Sequence, residues 1–413
     1  MSNELGVSVF RALDRLAGDM GALGVALSGG GDSMALLHLA HDWAAGRRLM
    51  AATVDHGLRE GSAQEAALAG EAAQRLGVPH AVLHWQHDEI RGNLMAAARE
   101  ARLALLSEWA LRNGLSAVLL GHTQDDQAET LLMRLGRGAG VDGLSGMAEA
   151  RRSDGMLWLR PLLGVQRQAL RDWLVERRIT WVEDPSNENP DFERVRVRKA
   201  MEALHLPTAQ LASVTANLAS ARDALQVFAQ QVATGAEMRA GSLLLPLGAF
   251  SRAPDEIRRR LMVAGVQVVA AAPYPPRRET VAHALRAVGA GFRTTLDGVI
   301  VQPAAGWLHF IREPATANRA GQIAPDIDGM ALWDGRWRLA GIAPGETVGA
   351  LGHDALAKLD WRASGLLRDE AASTPAVWQA GALVAAPVLR SHPRITAEPL
   401  RTEGEFRRLL YSH

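Results

Sequence analysis

The stretch LSGGGDSM, residues 27 to 34, constrains this chain more than any other feature. Three consecutive glycines separate the strand-like run Gly24–Ser28 (GVALS) from a helix-like run over 33–43. Side chains there would crowd a bound group. Glycine lets the backbone bend tightly and present its N–H groups, while the helix that follows adds free amides and a positive dipole end. Such a bend after the first strand suits a phosphate group. Gly29, Gly30 and Gly31 would supply amides, and Ser28 and Ser33 hydroxyls. Asp32 is the odd member, because an acid beside a polyphosphate repels it unless a divalent cation lies between, and magnesium is the usual one. The loop lacks the Lys of a Walker A sequence and is not GxGxxG.

The alternation continues. LMAATVD (49–55), HAVLHW (80–85) and SAVLLG (116–121) read as strands; helices are expected over about 62–76, from an Asn93 cap to about Arg112, and over 124–135. This predicts an α/β fold, a Rossmann-like parallel sheet with helices on both faces and ligands gathered beyond the strand carboxyl ends. The polar clusters SGGGDS, DHGLR and GHTQDD fall at those ends. Further on, MLWLRPLL (156–163) reads as a strand leading into a helix from Val165 to about Arg178, and about 195–230 as helical. Residues 240–312 mix strand and helix signals, Pro314–Gly329 reads as a linker, and the tail from about 330 as a small β-rich domain. The expected domains are 1–215, 216–313 (a mixed helical/β middle domain) and 330–413.

At 413 residues, two or three domains are the natural prior. The net charge is zero, which gives no global case for nucleic acid but leaves room for a local basic face. No run resembles a membrane span or a cleaved leader, so a cytoplasmic protein with no membrane partner is expected. Cysteine is absent, and with it iron–sulfur, thiolate and persulfide chemistry. Lys199 and Lys358 are the only lysines.

Within GHTQDDQAET (121–130), Asp125, Asp126 and Glu129 fall in the first turns of a helix, where the dipole favours acids. They read either as an acid-capped helix start or as a cation or amine site, with Asp126 sharing magnesium with Asp32. Asp55 and His56, at the end of the second strand, read as wall of a nucleotide pocket. Arg99 and Arg102 share one helical face, which solvent and phosphate contacts explain equally well. RLGRGAGVDGLSGM (134–147), with Arg134 and Arg137, reads as a loop closing over substrate or as a plain connector. Arg194, Arg196 and Arg198 alternate; extended, they would align as a phosphate-gripping strip, and in a helix only some could face a ligand.

Together, SGGGDS, VDHGLR, the AREAR helix, GHTQDDQAET, RGAGVDGLSGM, RPLL and DPSN followed by spaced arginines resemble the tRNA(Ile)-lysidine synthases, within the PP-loop ATP pyrophosphatases. The resemblance covers roughly the first 200 residues. Val195 departs from it, standing where many members carry Asn. The resemblance implies that ATP adenylates C2 of the wobble cytidine (position 34) of a CAU-anticodon isoleucine tRNA, releasing diphosphate. The ε-amine of free L-lysine then displaces AMP. It assigns Ser28, Gly29, Gly30, Gly31, Asp32 and Ser33 to ATP, with Asp55 and His56 nearby, and Asp32 and Asp126 to Mg2+. Asp126, Asp32 and Arg194 would be catalytic, Asp125 and Glu129 would meet the substrate lysine, and Arg137, Arg196 and Arg198 the tRNA. A homodimer is a fair expectation. The main rival is an ammonia-using synthetase acting on a small molecule, which would need no RNA platform. A nucleotide-binding module without chemistry is the rival from a different class.

Overall fold

The computed structural model describes residues 2–57, 62–86, 94–183 and 191–411. Leu58 and Arg59 of VDHGLR, the Asn93 cap and the DPSN tetrapeptide (184–187) lie outside the described residues. The chain divides into two compact units, Met1–Arg222 and Asp223–His413.

The first unit is built on a six-stranded sheet. Its strands are β1 (Ala22–Ala26), β2 (Arg48–Asp55), β3 (His80–His84), β4 (Ala117–Leu119), β5 (Ala150–Ser153) and β6 (Met156–Leu159), in the order β3-β2-β1-β4-β6-β5. The helices are α1 (Ser2–Ala17), α2 (Gly31–Ala44), α3 (Ser62–Arg75), α4 (Leu94–Arg112), α5 (Gln124–Leu135), α6 (Val141–Leu144), α7 (Arg167–Glu176) and α8 (Glu193–Ala203), and the sequence of α9 (Thr208–Val232) spans the division between the units. Both sheet faces are covered. Leu23, Val25, Leu36, Leu37, Leu119, Leu170 and Trp173 pack on one side, and Leu106, Trp109, Val118 and Trp158 on the other. Each such side chain contributes about 1.5–3 kcal/mol on burial, so both faces drive the fold.

All the strand pairs are parallel except β5 with β6. The all-parallel expectation is therefore corrected at one edge. β5 is ARRS, whose polar residues give no apolar alternation, but Asp154 (φ 52°) and Gly155 (φ 74°) form the Asp-Gly hairpin turn that announces it. Strand order reverses at β1, between β2 and β4. This is the switch point at which such sheets collect ligands, and the glycine bend and GHTQDD flank it.

The second unit carries a five-stranded antiparallel sheet of β7 (Glu237–Arg239), β8 (Ser242–Pro246), β9 (Thr294–Leu296), β10 (Val299–Ala304) and β11 (Trp307–Arg312), ordered β7-β8-β11-β10-β9. Helices α10 (Leu247–Arg252), α11 (Asp255–Ala270) and α12 (Arg278–Gly289) accompany it. Two three-stranded sheets follow, β12 (Ala331–Trp333), β13 (Trp337–Ala340) with β17 (Thr396–Pro399), and β14 (Thr347–Ala350), β15 (Pro375–Gln379), β16 (Ala382–Ala385). Pro314–Gly329 is more than a linker. It opens with a helix, α13 (Pro314–Arg319), whose proline takes the first helical position and whose Ala317 is fully buried. Among the described residues, no helix is long and apolar enough to cross a membrane.

Candidate active site

The bend after β1 is held by its own serines. The Ser28 N–H donates to Ser33 Oγ at 3.1 Å, the two hydroxyls lie 3.0 Å apart, and Ser33 Oγ donates to the Gly30 carbonyl at 2.9 Å. Gly29 sits at φ +83°, a conformation an L side chain adopts only under strain. The Val182 N–H donates to the Gly29 carbonyl at 2.9 Å, pinning the bend from behind. A Cβ on Gly30 would meet only Ser28 Oγ, at 3.6 Å, so the Gly30 side of the bend is open. Gly121, two residues beyond β4, lies against the start of α2, where a Cβ would stand 3.2 Å from the Ser33 nitrogen. The glycine bend and GHTQDD are therefore neighbours.

The acids follow from the start of α5. Thr123 is its N-cap, and Asp126, three positions later, returns the bond. Asp126 Oδ2 accepts from the Thr123 N–H at 2.8 Å and from its hydroxyl at 3.1 Å. The other oxygen, Oδ1, faces Arg167 Nη2 at 3.3 Å and Arg194 Nη1 at 3.9 Å. One oxygen of this acid therefore caps the helix while the other faces the arginines. Asp125 turns elsewhere: its Oδ2 accepts from the Arg167 N–H at 2.7 Å, at the first residue of α7.

Arg167 is the residue that no motif singled out. Its Nε donates to Asp32 Oδ2 at 3.0 Å, its Nη1 to Glu129 Oε1 at 3.3 Å and its Nη2 to Asp126 Oδ1 at 3.3 Å. A basic residue opening a helix is against the dipole preference, and this was the available signal. Glu129 is 1% exposed; its Oε1 also receives Arg198 Nε at 2.6 Å, while its Oε2 is buried with no hydrogen-bond partner. Arg194 Nε lies 4.0 Å from that oxygen.

The arginine strip is helical. Arg194 and Arg198 are four apart on α8 and share the face towards Glu129, whereas Arg196 is exposed and donates to the Asp191 carbonyl. Val195, the departure from the family pattern, is buried on that helix. Arg137 is exposed and paired with Glu193. The loop over 136–146 is strapped down, with Arg134 Nη1 on the Gly143 carbonyl at 2.7 Å and the Gln127 amide bonded both ways to Met147. Asp55 organises its own turn, accepting from the Gly57 N–H at 3.0 Å, and His56 stands edge-on to Trp85.

The environment separates the two principal acids. Burial, only partly offset by Arg167, raises Asp32 above the ordinary carboxylate range, and Asp126 and Asp125 add to the rise. Burial pushes Asp126 the same way, but Arg167 and the Thr123 N–H outweigh it and leave this acid below that range. Arg167 loses by burial and gains more from Asp126, Asp32 and Glu129, so it stays charged. His122 is driven down to about 4, by burial first and by Arg160, Arg102 and Arg99, against the pull of Asp126. Arg160 is 7% exposed, with Nη1 on the Ala148 carbonyl at 2.8 Å and Nε without an acceptor. Burial and its neighbours Arg151 and Arg99 lower it to about 10. Among the described residues no carboxylate pairs with it.

Residues 8–204 match the PP-loop domain family. The chain is 44% identical over 401 residues to the tRNA(Ile)-lysidine synthase of Ruegeria pomeroyi, an alignment covering 95% of this chain and 94% of that one. The enzyme of the same name from Bradyrhizobium diazoefficiens is 36% identical over 334 residues, covering 72% of this chain and 91% of the relative. With a glycine bend beside an acid and arginine cluster at the switch point, and a relative 44% identical along nearly the whole length, the chain belongs to the tRNA(Ile)-lysidine synthase family.

Proposed function

We propose that the chain uses ATP to activate C2 of the wobble cytidine (position 34) of a CAU-anticodon isoleucine tRNA, releasing diphosphate. Free lysine is then joined there through its ε-amine, with loss of AMP. One observation carries this reading: an open backbone bend suited to phosphate stands beside buried acids and arginines at the sheet's switch point.

The amides of Gly29, Gly30 and Gly31 and the hydroxyls of Ser28 and Ser33 would grip the phosphates. Magnesium suits the hard oxygen donors Asp32 and Asp126. No three His, Asp or Glu side chains among the described residues could hold a metal by themselves, and one or two carboxylates plus phosphate oxygens is ordinary magnesium coordination. When bound, the metal would neutralise phosphate charge as the diphosphate leaves.

Glu129 Oε2 is the free buried acceptor and would take the lysine ammonium, with Asp126 Oδ1 beside it. A carboxylate that binds the ammonium is placed to receive the proton the amine must shed before attack. Asp125, committed to the start of α7, would orient Arg167 rather than touch the amine. Arg194 would face charge developing between the acids and the nucleotide.

Arg160, buried without a counter-ion beside Arg99 and Arg151, would meet an RNA phosphate, since a buried cation needs an anion. Arg196 and the chain from 216 onward, with its middle and C-terminal parts, would add to the RNA platform. The target base, in an anticodon loop, needs little unpairing.

The test is incubation with ATP, lysine and the CAU-anticodon isoleucine tRNA, followed by nuclease digestion and mass spectrometry. A lysine-sized gain on the wobble cytidine is expected, with AMP and diphosphate formed in step. ATP turnover without any change in the tRNA would overturn the reading.

A further inference from the structure

Arg167 is the one described cation that pairs with Asp32, Asp126 and Glu129 together. Its guanidinium meets Asp32, Asp126 and Glu129, carboxylates brought together from α2 and α5. Without a central cation, three converging acids would repel one another, and partial burial strengthens the repulsion. Asp32 has no other ion-pair partner among the described residues, whereas Asp126 and Glu129 also face Arg194 and Arg198. The Arg167 backbone is fixed by Asp125. Beyond that anchor its guanidinium is held by the three ion pairs.

Resting on the reading of this site as a magnesium–nucleotide site, we propose that Arg167 is a positioning residue that stands in for the divalent cation in the nucleotide-free protein. It keeps Asp32 and Asp126 facing one another and competes with the metal for both. A bare dication entering the cluster would leave a displaced guanidinium beside it, with like charges in contact. Phosphate oxygens arriving with the metal remove that penalty, because they offer the guanidinium a new anion. Metal entry is therefore coupled to nucleotide entry.

The test uses Mn2+ as a spectroscopic substitute for magnesium, with and without an ATP analogue whose α–β bridge cannot be cleaved. Free Mn2+ is followed by electron paramagnetic resonance. Arg167→Gln should bind Mn2+ without nucleotide about tenfold more tightly than the unaltered protein, the size of one partly buried charge contact. Arg167→Lys, which keeps the charge, should restore the exclusion. With the analogue present, the advantage of Arg167→Gln should vanish or reverse. Equal nucleotide-free affinity in the Gln variant and the unaltered protein would overturn the proposal while leaving the nucleotide reading intact. Failure of the unaltered protein to bind Mn2+ together with the analogue would overturn both. Should the variants not fold, the Nε–H resonance of Arg167 in the unaltered, nitrogen-labelled protein decides. It should shift when metal and analogue are added together and stay in place with metal alone; a shift with metal alone sinks the proposal.

Discussion

Glu129 Oε1 and Arg198 Nε lie 2.6 Å apart, joining α5 to α8 at a carboxylate that is almost wholly buried. This pairing separates two arginines that the sequence alone treats alike. Arg198→Ala should destabilise the first unit by about 2 kcal/mol, less than the usual cost of orphaning a buried charge because Arg167 stays on the same acid. Arg196→Ala should leave the melting temperature unchanged but lower the salt dependence of tRNA binding by roughly 0.7–0.9 in log–log slope, one phosphate contact. Thermal melts and filter binding across salt read both. The reverse pattern would return Arg198 to the RNA face.

Asp126→Asn should keep its fold and lose its product. Asparagine retains an oxygen to accept from Thr123, so the capping loss stays near or below about 1 kcal/mol. The charge presented to Arg167, and to the proposed metal and amine, disappears, and lysine incorporation should fall by at least about a hundredfold. Near-normal turnover would remove Asp126 from the chemistry.

The glycine bend offers a paired test. Gly29→Ala places a side chain at φ +83° and should cost about 1–2 kcal/mol of stability. Gly30 has φ −72° and open space before it. Gly30→Ala should therefore melt like the parent and yet bind ATP more weakly, because the new methyl group enters the phosphate cradle. Unimpaired ATP affinity in Gly30→Ala would show that the bend does not hold phosphate.

His122 titrates between an ordinary 6.5 and about 4 in the fold. The unfolded chain binds the proton more readily, so the stability this residue contributes is complete above pH 6.5 and is lost as pH falls towards 4. The loss should reach about 2 kcal/mol after discounting for its partial exposure. Urea melts between pH 7 and 4 measure it, and His122→Asn should flatten the profile. An unchanged slope in the variant would place the acid sensitivity elsewhere.

The sequence made the first sheet readable because strand and helix periods differ and the polar clusters fall at strand ends. GVALS, LMAATVD and HAVLHW needed no tertiary knowledge. β5 escaped, being a polar edge strand whose only mark is the Asp-Gly turn after it. Arg167 escaped for another reason. Its partners are 38 to 135 residues away, and the one local mark, a basic residue at the start of a helix, is too weak to set VQRQAL apart from a surface helix. Arg194 and Arg198 could be separated from Arg196 only once α8 was known to be a helix, since an extended chain would have aligned all three. The glycine bend, by contrast, was legible because its constraint is local: a backbone that must turn and stay bare.

Asp126 divides its two oxygens between the first turn of its helix and the guanidinium of Arg167. On the proposed role of this acid, fraying of that turn blunts turnover at the same instant, so molecules that have begun to open cannot linger as competent catalysts. Loss of turnover on warming should accordingly run ahead of, and never behind, the loss of overall helicity.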